Sequence, residues 1–590
     1  MKKRITMLLV CALLLVGCNN KQNSSQKLTE YRDYDTQNQE ITTLNYLTTN
    51  TSVDIRVVAN FVDALLEYDA DGKLIGDLAK DYSHNEEATE WTFKLRDGLK
   101  WVTHTGEVYG DVTAEDFVSG IKYILTAKNS SQNVNNVTSF LKGASEYYEA
   151  SKAGTATEEL FKSVGVEAVD EKTVKYTLAT PKPYFDSVVT YITWFPVSQK
   201  FLDEIGPENF GTDKDKILYN GCYRMTDYQN GASKEYVKNE HYWDKKNVPF
   251  EKVTVTMLES LNKAYSMYET NELDHASLTQ DEIKIQAGNE HLVETRGGGR
   301  SAQIYFNYEQ VGNENWNQAV SNVNFRKAWF YGVDPTPYHE RTNPINPDSL
   351  MNNLYTCGVI VKDSKGTYYK DFEELKAYAN GLYDEAKFKE AKEKAMEELT
   401  AQGVTFPVEV MLPYNSGNQT AEETFLILKD SIEKCLGNDF VTVTGIPYIK
   451  SATSEIYEKS LQSIALVGWA PDYNDPYDFL RHMTDTEDGY MNKNYSRISD
   501  PTYDALVAEA NAIVDLDERY HAFAKAEDYY LQQAYSVPFY VDGHEIQVTR
   551  INDYSKPYSF TSVGRKIKFW ETKADGYTQE EYAKFAEAAK

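Results

Sequence analysis

The chain has 590 residues, with 61 Lys and Arg against 90 Asp and Glu, and a formal net charge of −29 at pH 7. This length allows several compact units, and the acidic balance disfavours nucleic acids and anionic lipid surfaces as partners. Because 41% of the residues are hydrophobic and 13% are aromatic, we expect a globular chain rather than a disordered one.

The N-terminal residues have the pattern of a targeting signal. A basic start, MKKR, precedes the apolar residues 5–16, a run too short to span a membrane as an ordinary helix. Residues 15–18 (LVGC) resemble the lipobox of bacterial lipoproteins, whose cysteine is acylated. We therefore predict a lipoprotein signal peptide over residues 1–17, lipidation of Cys18, and a polar tether that completes residues 18–27. An ordinary secretory signal with an incidental cysteine is the alternative, and either one directs the mature protein out of the cytoplasm.

In the first half of the chain, short β-patterned runs alternate with amphipathic helices. Thr113 begins the sequence TAED, which is typical of a helix start with a capping box. Asp170 and Glu171 form a predicted turn between two runs of alternating polarity. The predicted elements are strands at 41–47, 91–96, 164–169 and 173–178, and helices over 55–66 and from Thr113 onward.

The second half contains the clearest βαβ pattern. The predicted elements, in order, are a helix at 384–402, a strand at 408–412, a helix at 421–436, a strand at 440–444, a short helix at 454–461 and a strand at 463–467. A βαβ unit predicts a right-handed crossover within a mainly parallel sheet. The loop GWAPDYNDP follows at 468–476. Because ligands gather beyond the carboxyl ends of strands in open α/β sheets, this loop is the predicted binding segment.

Motifs that would indicate catalysis or a cofactor are missing from the sequence. His544 and Glu545 lack the second histidine of a HExxH zinc site, and there is neither a GxSxG elbow nor a P-loop. The 9 His and 10 Met are unclustered, which argues against bound metal or haem. We therefore predict no catalytic residues, no metal, no cofactor and no enzyme activity. Three cysteines outside the N-terminal region permit at most one disulfide, and its existence stays open: Cys222, Cys357 and Cys435.

Several sequence landmarks occur in a fixed order over about residues 40–545. They are AKDY at 79–82, WTFKLRDG at 91–98, Trp101, TAEDF at 113–117, NGCY at 220–223, KNEHYWD at 238–244, NFRKA at 324–328, YGVD at 331–334 and the loop at 468–476. Together they resemble the family of extracellular solute-binding proteins that includes oligopeptide- and dipeptide-binding proteins. The long insertion between Trp101 and Thr113, GLY at 381–383 and GVTFP at 403–407 look like the Ami/Ali oligopeptide-binding lipoproteins of Gram-positive bacteria.

The resemblance implies a two-lobed α/β fold of the periplasmic-binding-protein type, with a discontinuous first lobe and an inserted α+β subdomain. The implied segments are 28–73 for the start of the first lobe, 74–189 for the inserted subdomain, 190–295 for the second part of the first lobe, 296–544 for the second lobe and 545–590 for the C-terminal part of the first lobe. A ligand bound between two such lobes stabilises their closed arrangement.

The implied function is that of a receptor without catalytic activity. It would be a monomer, lipid-anchored on the extracellular face of the cell membrane, that captures oligopeptides and delivers them to the permease subunits of an ABC transporter. Two alternatives remain open: a receptor for a peptide pheromone or signal peptide with the same fold, and a binding protein for a non-peptide solute such as an oligosaccharide. The sequence leaves the length and side-chain preference of a peptide undetermined.

The resemblance also implies a set of ligand-binding residues. Asp472 matches the family's acidic residue that pairs with a peptide α-ammonium, and Trp469 would form a wall of the cleft. Tyr305 and Asn307 would lie near the ligand main chain. Weaker candidates at strand ends and in a first-lobe loop are Tyr414, Asn415, Tyr448 and Thr49. Structural alternatives are a turn-forming Asp472, a core Trp469, and ordinary strand alternation at Tyr305 and Asn307.

Overall fold

The computed structural model describes residues 27–36, 39–541, 544–559 and 566–589. The predicted signal peptide, Cys18 and all but the last residue of the predicted tether lie outside these ranges. Within them, no helix combines the length and the apolar character that crossing a membrane requires.

Two sheets join stretches of chain that are far apart in sequence. The first contains the strands Glu30–Thr36, Lys252–Leu258, Ser233–Lys238 and Tyr223–Gln229, in that spatial order. The second contains His275–Ser277, Ile546–Thr549 and Val293–Glu294. The first pair of the larger sheet is parallel and its other pairs are antiparallel. Because distant strands share these sheets, the first lobe is discontinuous, as predicted.

The inserted subdomain has a sheet of its own. Its antiparallel strands, in spatial order, are Ala79–His84, Glu90–Leu95, Thr173–Thr177 and Val166–Asp170. The helix Ala114–Leu125 begins where predicted, and the Thr113 backbone N–H donates to Asp116 Oδ2 (2.8 Å). The predicted boundary between residues 73 and 74 falls inside a hairpin, because Leu66–Tyr68 pairs with Leu74–Gly76.

The second lobe is built around the strand Ser301–Phe306, which is buried along its whole length. It lies between the antiparallel strands Ile464–Trp469 and Ser536–Val541. Beside them, Val408–Asn415 and Val441–Tyr448 pair in parallel and are joined by the helix Gln419–Leu436, so the predicted βαβ unit is confirmed. The other long helices of this lobe are Val323–Gly332, Glu385–Ala401, Pro501–Ala512 and Leu516–Gln532.

Three local predictions were wrong. Residues 41–47 form turns, because the Asn45 amide binds Tyr123 and the Leu47 backbone instead of leaving the main chain free for a ladder. The helix predicted over 55–66 is the shorter Ser52–Val58, since Asn60 and Phe61 pair with residues 220–223. The expected mainly parallel sheet is limited to the two strands of the βαβ unit, and the three-stranded sheet of this lobe is antiparallel because its central strand is antiparallel to both neighbours.

Candidate functional site

The loop after strand Ile464–Trp469 is held in place by a buried ion pair. Asp475 and Arg519 are both inaccessible to solvent, and their side chains meet through two contacts of 2.8 and 3.0 Å. Asp475 Oδ1 also accepts from the backbone N–H of Tyr477 (2.9 Å). Because Arg519 belongs to the helix Leu516–Gln532, the loop is fixed to the body of the second lobe.

Asp472 lies in this loop with its side chain half-buried. Burial, with the nearby Asp478 carboxylate, raises the pKa of Asp472 to about 7, although Arg481 opposes the shift. Among the described residues, no Lys, Arg or His forms an ion pair with the Asp472 carboxylate. A carboxylate in this position is therefore strongly stabilised by any cation that reaches it.

Asp478 connects the two residues that the sequence analysis ranked first for ligand binding. Its Oδ2 accepts from the backbone N–H of Asp472 (2.7 Å) and from Trp469 Nε1 (3.2 Å). Its Oδ1 accepts from Arg481 Nη2 (2.8 Å). Asp478 is 0% exposed, and it belongs to the short helix Tyr477–Leu480. Nothing in the local sequence marks Asp478 as part of the site, because these hydrogen bonds depend on how the loop folds back.

Trp469 is half-buried and braced on one side. Its ring packs against His482, with centroids 4.2 Å apart, and against the exposed Tyr490 at 5.9 Å. Burial lowers the pKa of His482 well below its usual value, so this imidazole is neutral. The braced indole therefore fits the predicted cleft wall, since one part of it remains accessible.

Side chains of the first lobe and its insertion contact the same loop. Tyr184 stacks on Tyr473 with ring centroids 4.9 Å apart and planes 12° apart, and the Arg519 guanidinium lies 4.8 Å from the Tyr184 ring. The pKa of Tyr191 is raised first by burial and then by Asp472 and Asp478. The local sequence does not mark Tyr184, Tyr191 and Arg519, because a contact across the cleft leaves no short-range pattern.

Tyr305 and Asn307 are both buried in the second lobe. Tyr305 is 1% exposed and its hydroxyl donates to the Tyr355 hydroxyl (3.3 Å). Asn307 is 0% exposed, and its amide donates to Ser460 Oγ (3.0 Å) and to the Gln462 carbonyl (2.7 Å). The polar groups of these two side chains are already used within the fold, and their contact with a ligand stays a prediction.

The candidates at the carboxyl ends of the parallel strands are brought together. Asn415 is the register partner of Tyr448, Tyr414 directly precedes Asn415 in the same strand, and all three residues are half-buried. Tyr414 stacks on Phe425 with centroids 4.7 Å apart, and Asn415 Oδ1 accepts from the Gly417 backbone N–H (2.9 Å). The three residues form one edge of the second lobe, and their contact with a ligand stays a prediction.

Thr49 is buried in the first lobe. It is 4% exposed, and its hydroxyl donates to Asp54 Oδ2 (2.8 Å). Its carbonyl accepts from Asn133 Nδ2 (2.9 Å). The Thr49 side chain therefore stabilises its own loop, and its contact with a ligand stays a prediction.

The described residues contain no cluster of three or more His, Cys, Asp or Glu suited to a metal ion. Cys222, Cys357 and Cys435 are free thiols in the structure. Burial raises the pKa values of Cys222 and Cys357, which disfavours the reactive thiolate at these two positions.

Comparison with known proteins shows one family. The profile described as bacterial extracellular solute-binding proteins, family 5 middle, matches residues 73–491. The chain is 28% identical to the oligopeptide-binding protein AliB of Streptococcus pneumoniae serotype 4, an alignment that covers 98% of this chain and 94% of AliB.

Solved structures share the fold. The substrate-binding domain of an oligopeptide ABC transporter from Bacillus anthracis matches with a TM-score of 0.67 and 23% identity, over 93% of this chain and 100% of that chain. Listeria monocytogenes OppA bound to peptide matches with a TM-score of 0.66 and 21% identity, over 92% and 99%. These matches confirm the predicted two-lobed α/β fold. Since the family profile covers most of the chain, this protein belongs to the bacterial extracellular solute-binding proteins of family 5.

Proposed function

We propose that this protein captures oligopeptides between its two lobes and delivers them to an ABC transporter for import. The observation that carries the proposal is the Asp472 carboxyl, which is half-buried in the loop that meets the inserted subdomain. Its pKa is raised to about 7 by burial and by Asp478. The name of AliB, an oligopeptide-binding protein, and the peptide bound to Listeria OppA support the same class of ligand.

In the proposed mechanism, the α-ammonium of a peptide pairs with ionised Asp472. This pairing is strong because little water screens it in the closed cleft. Trp469 forms the adjacent wall, and residues from both lobes enclose the ligand. Because the ligand binds best when the lobes are closed, it shifts the open–closed equilibrium, and a permease that recognises closure accepts many different peptides.

The protein is further proposed to act outside the cytoplasm as a monomeric, lipid-anchored receptor without enzyme activity. The family description, extracellular solute-binding proteins, supports the location. Lipidation at Cys18 follows from the LVGC sequence alone. Apart from the boundary between residues 73 and 74, which falls inside a hairpin, the segment boundaries derived from the resemblance are part of this proposal.

Denaturing mass spectrometry of the chain purified from residue 19 onward tests the proposal, because a closed cleft retains its ligand. Heterogeneous co-purified peptides would support peptide uptake. A single defined peptide would favour a sensing receptor instead. A bound sugar, or no ligand together with no calorimetric response to short free-amine peptides, would contradict the proposed function.

A further inference from the structure

We propose that Asp478 is a positioning residue of the ligand site, which fixes Asp472 and Trp469 together and sets how strongly protons compete with a cationic ligand. This inference rests on the proposed function. It concerns a residue that lies behind the ligand-facing side chains rather than among them.

Asp478 is connected to its neighbours by several hydrogen bonds. The Asp478 carboxylate accepts from three donors, namely the Asp472 backbone N–H (2.7 Å), Trp469 Nε1 (3.2 Å) and Arg481 Nη2 (2.8 Å). Hydrogen bonds to a buried carboxylate are short and strong, so they restrict the conformations of their donors. A single fully buried side chain therefore orients both the main chain that carries the ligand's counter-ion and the indole beside it.

Charges of both signs lie near Asp472. The groups that face Asp472 are Asp478 and Arg481 on the same lobe and the Tyr191 hydroxyl on the other. Asp478 repels a negative charge on Asp472, whereas Arg481 attracts it. Asp478 also holds Arg481, whose Nε is buried without a hydrogen-bond partner in the described structure. By engaging that guanidinium, Asp478 limits how far Arg481 compensates the charge of Asp472, so Asp472 remains available to an external cation.

Competition with protons follows from this arrangement. In the empty site, burial and Asp478 favour the neutral form of the Asp472 carboxyl near pH 7. A peptide ammonium favours the ionised form, so the peptide binds as the proton leaves the carboxyl for solvent. Affinity for a free-amine peptide therefore decreases on the acidic side of neutrality, with a midpoint that Asp478 sets.

The variant Asp478→Asn tests the inference, because it preserves the side-chain shape and an acceptor oxygen but removes the charge. Calorimetry with one short free-amine peptide between pH 5 and pH 8 gives the midpoint of the acidic limb. We expect this midpoint to move down by about one pH unit. Asp485→Asn is the matched control, since it removes the same charge from an exposed side chain of the same segment and leaves the midpoint unchanged.

Arg481→Gln provides a second test with the opposite sign, because it removes the cation that opposes protonation of Asp472. The midpoint should then move up. Circular dichroism and thermal melting establish that each variant is folded before its affinity is measured. If the parent protein binds the peptide and neither substitution moves the midpoint, the role of Asp478 is disproved while the proposed function stands. If the parent binds no free-amine peptide at any pH, the proposed function and this inference both fail.

Discussion

Tyr184 of the inserted subdomain and Tyr473 of the second lobe stack face to face, with ring centroids 4.9 Å apart. Tyr473 follows Asp472 directly, and it is buried among side chains of the first-lobe core. The Arg519 guanidinium lies 4.8 Å from the ring centroid of Tyr184. The loop that carries Asp472, the carboxylate proposed to bind the ligand, therefore also contacts the opposite side of the cleft. Ligand binding and lobe closure thus involve adjacent residues.

The variant Tyr473→Ala should weaken closure. It removes an aromatic stack and a buried ring, so we expect peptide affinity to decrease by about 1 to 2 kcal/mol, or roughly tenfold. Small-angle scattering in the presence of peptide should show a less compact particle than the parent. Tyr473→Phe is the control, because it retains the ring and should behave like the parent. Unchanged affinity and compaction in Tyr473→Ala would argue against a role of the stack in closure.

The variant Asp472→Ala should weaken binding of a free-amine peptide by about 2 to 5 kcal/mol, because it removes one partner of a desolvated ion pair. Titration calorimetry with matched free and N-acetylated peptides measures the difference. The parent should discriminate strongly between the two peptides, and the variant should not. Equal affinity of the parent for both peptides would remove Asp472 from its assigned role.

Affinity of the parent protein should depend on pH in a bell-shaped manner. Below neutrality, the Asp472 carboxyl, whose pKa is about 7 in the empty site, binds a proton and loses its attraction for the ammonium. Above about pH 8, the α-amino group of the peptide loses its own charge. Calorimetry in buffers of different ionisation enthalpy should detect release of up to about one proton per peptide bound near pH 6.5. A flat profile would contradict this protonation scheme.

The free energy of unfolding should depend on pH through Glu527. This side chain is 0% exposed, and burial raises its pKa to about 7. Its Oε1 accepts from the Thr356 backbone N–H (2.9 Å). Between the unfolded pKa near 4.3 and the folded value, only the folded protein keeps this proton. The stabilising contribution is therefore full below about pH 4 and is lost as the pH rises through 7.

Glu527→Gln removes this titration without changing the shape of the side chain. Relative to the parent, the variant should gain about 1 to 3 kcal/mol in unfolding free energy between pH 5 and pH 8. Urea denaturation at both pH values measures the gain. Glu518→Gln, an exposed position on the same helix, should show almost no difference between the two pH values. A similar pH response in both variants would contradict the assignment.

Local patterns predicted those elements whose signals lie within a few residues. Asp384 caps the helix Glu385–Ala401, which ends just before Gly403, and the two strands of the βαβ unit lie within a few residues of their predicted positions. Residues 41–47 have the composition of a strand, but they form turns. The Leu44 backbone N–H donates to the carbonyl of Gly211, a distant partner that no local pattern could indicate. Likewise, Asn307 has a strand-end position suited to a ligand contact, yet Ser460 and Gln462 occupy its amide.

The sequence by itself determined the family, the large negative net charge and the loop that contains Asp472. Composition and motifs are read directly from the chain, and hydrophobic periodicity is one of its short-range properties. Only the tertiary structure decided that Asp478 lies behind Asp472 and Trp469, and that Tyr184 meets Tyr473. The physical reason is that hydrogen bonds, ring contacts and pKa shifts depend on atoms that folding brings within a few ångströms, whatever their separation along the chain.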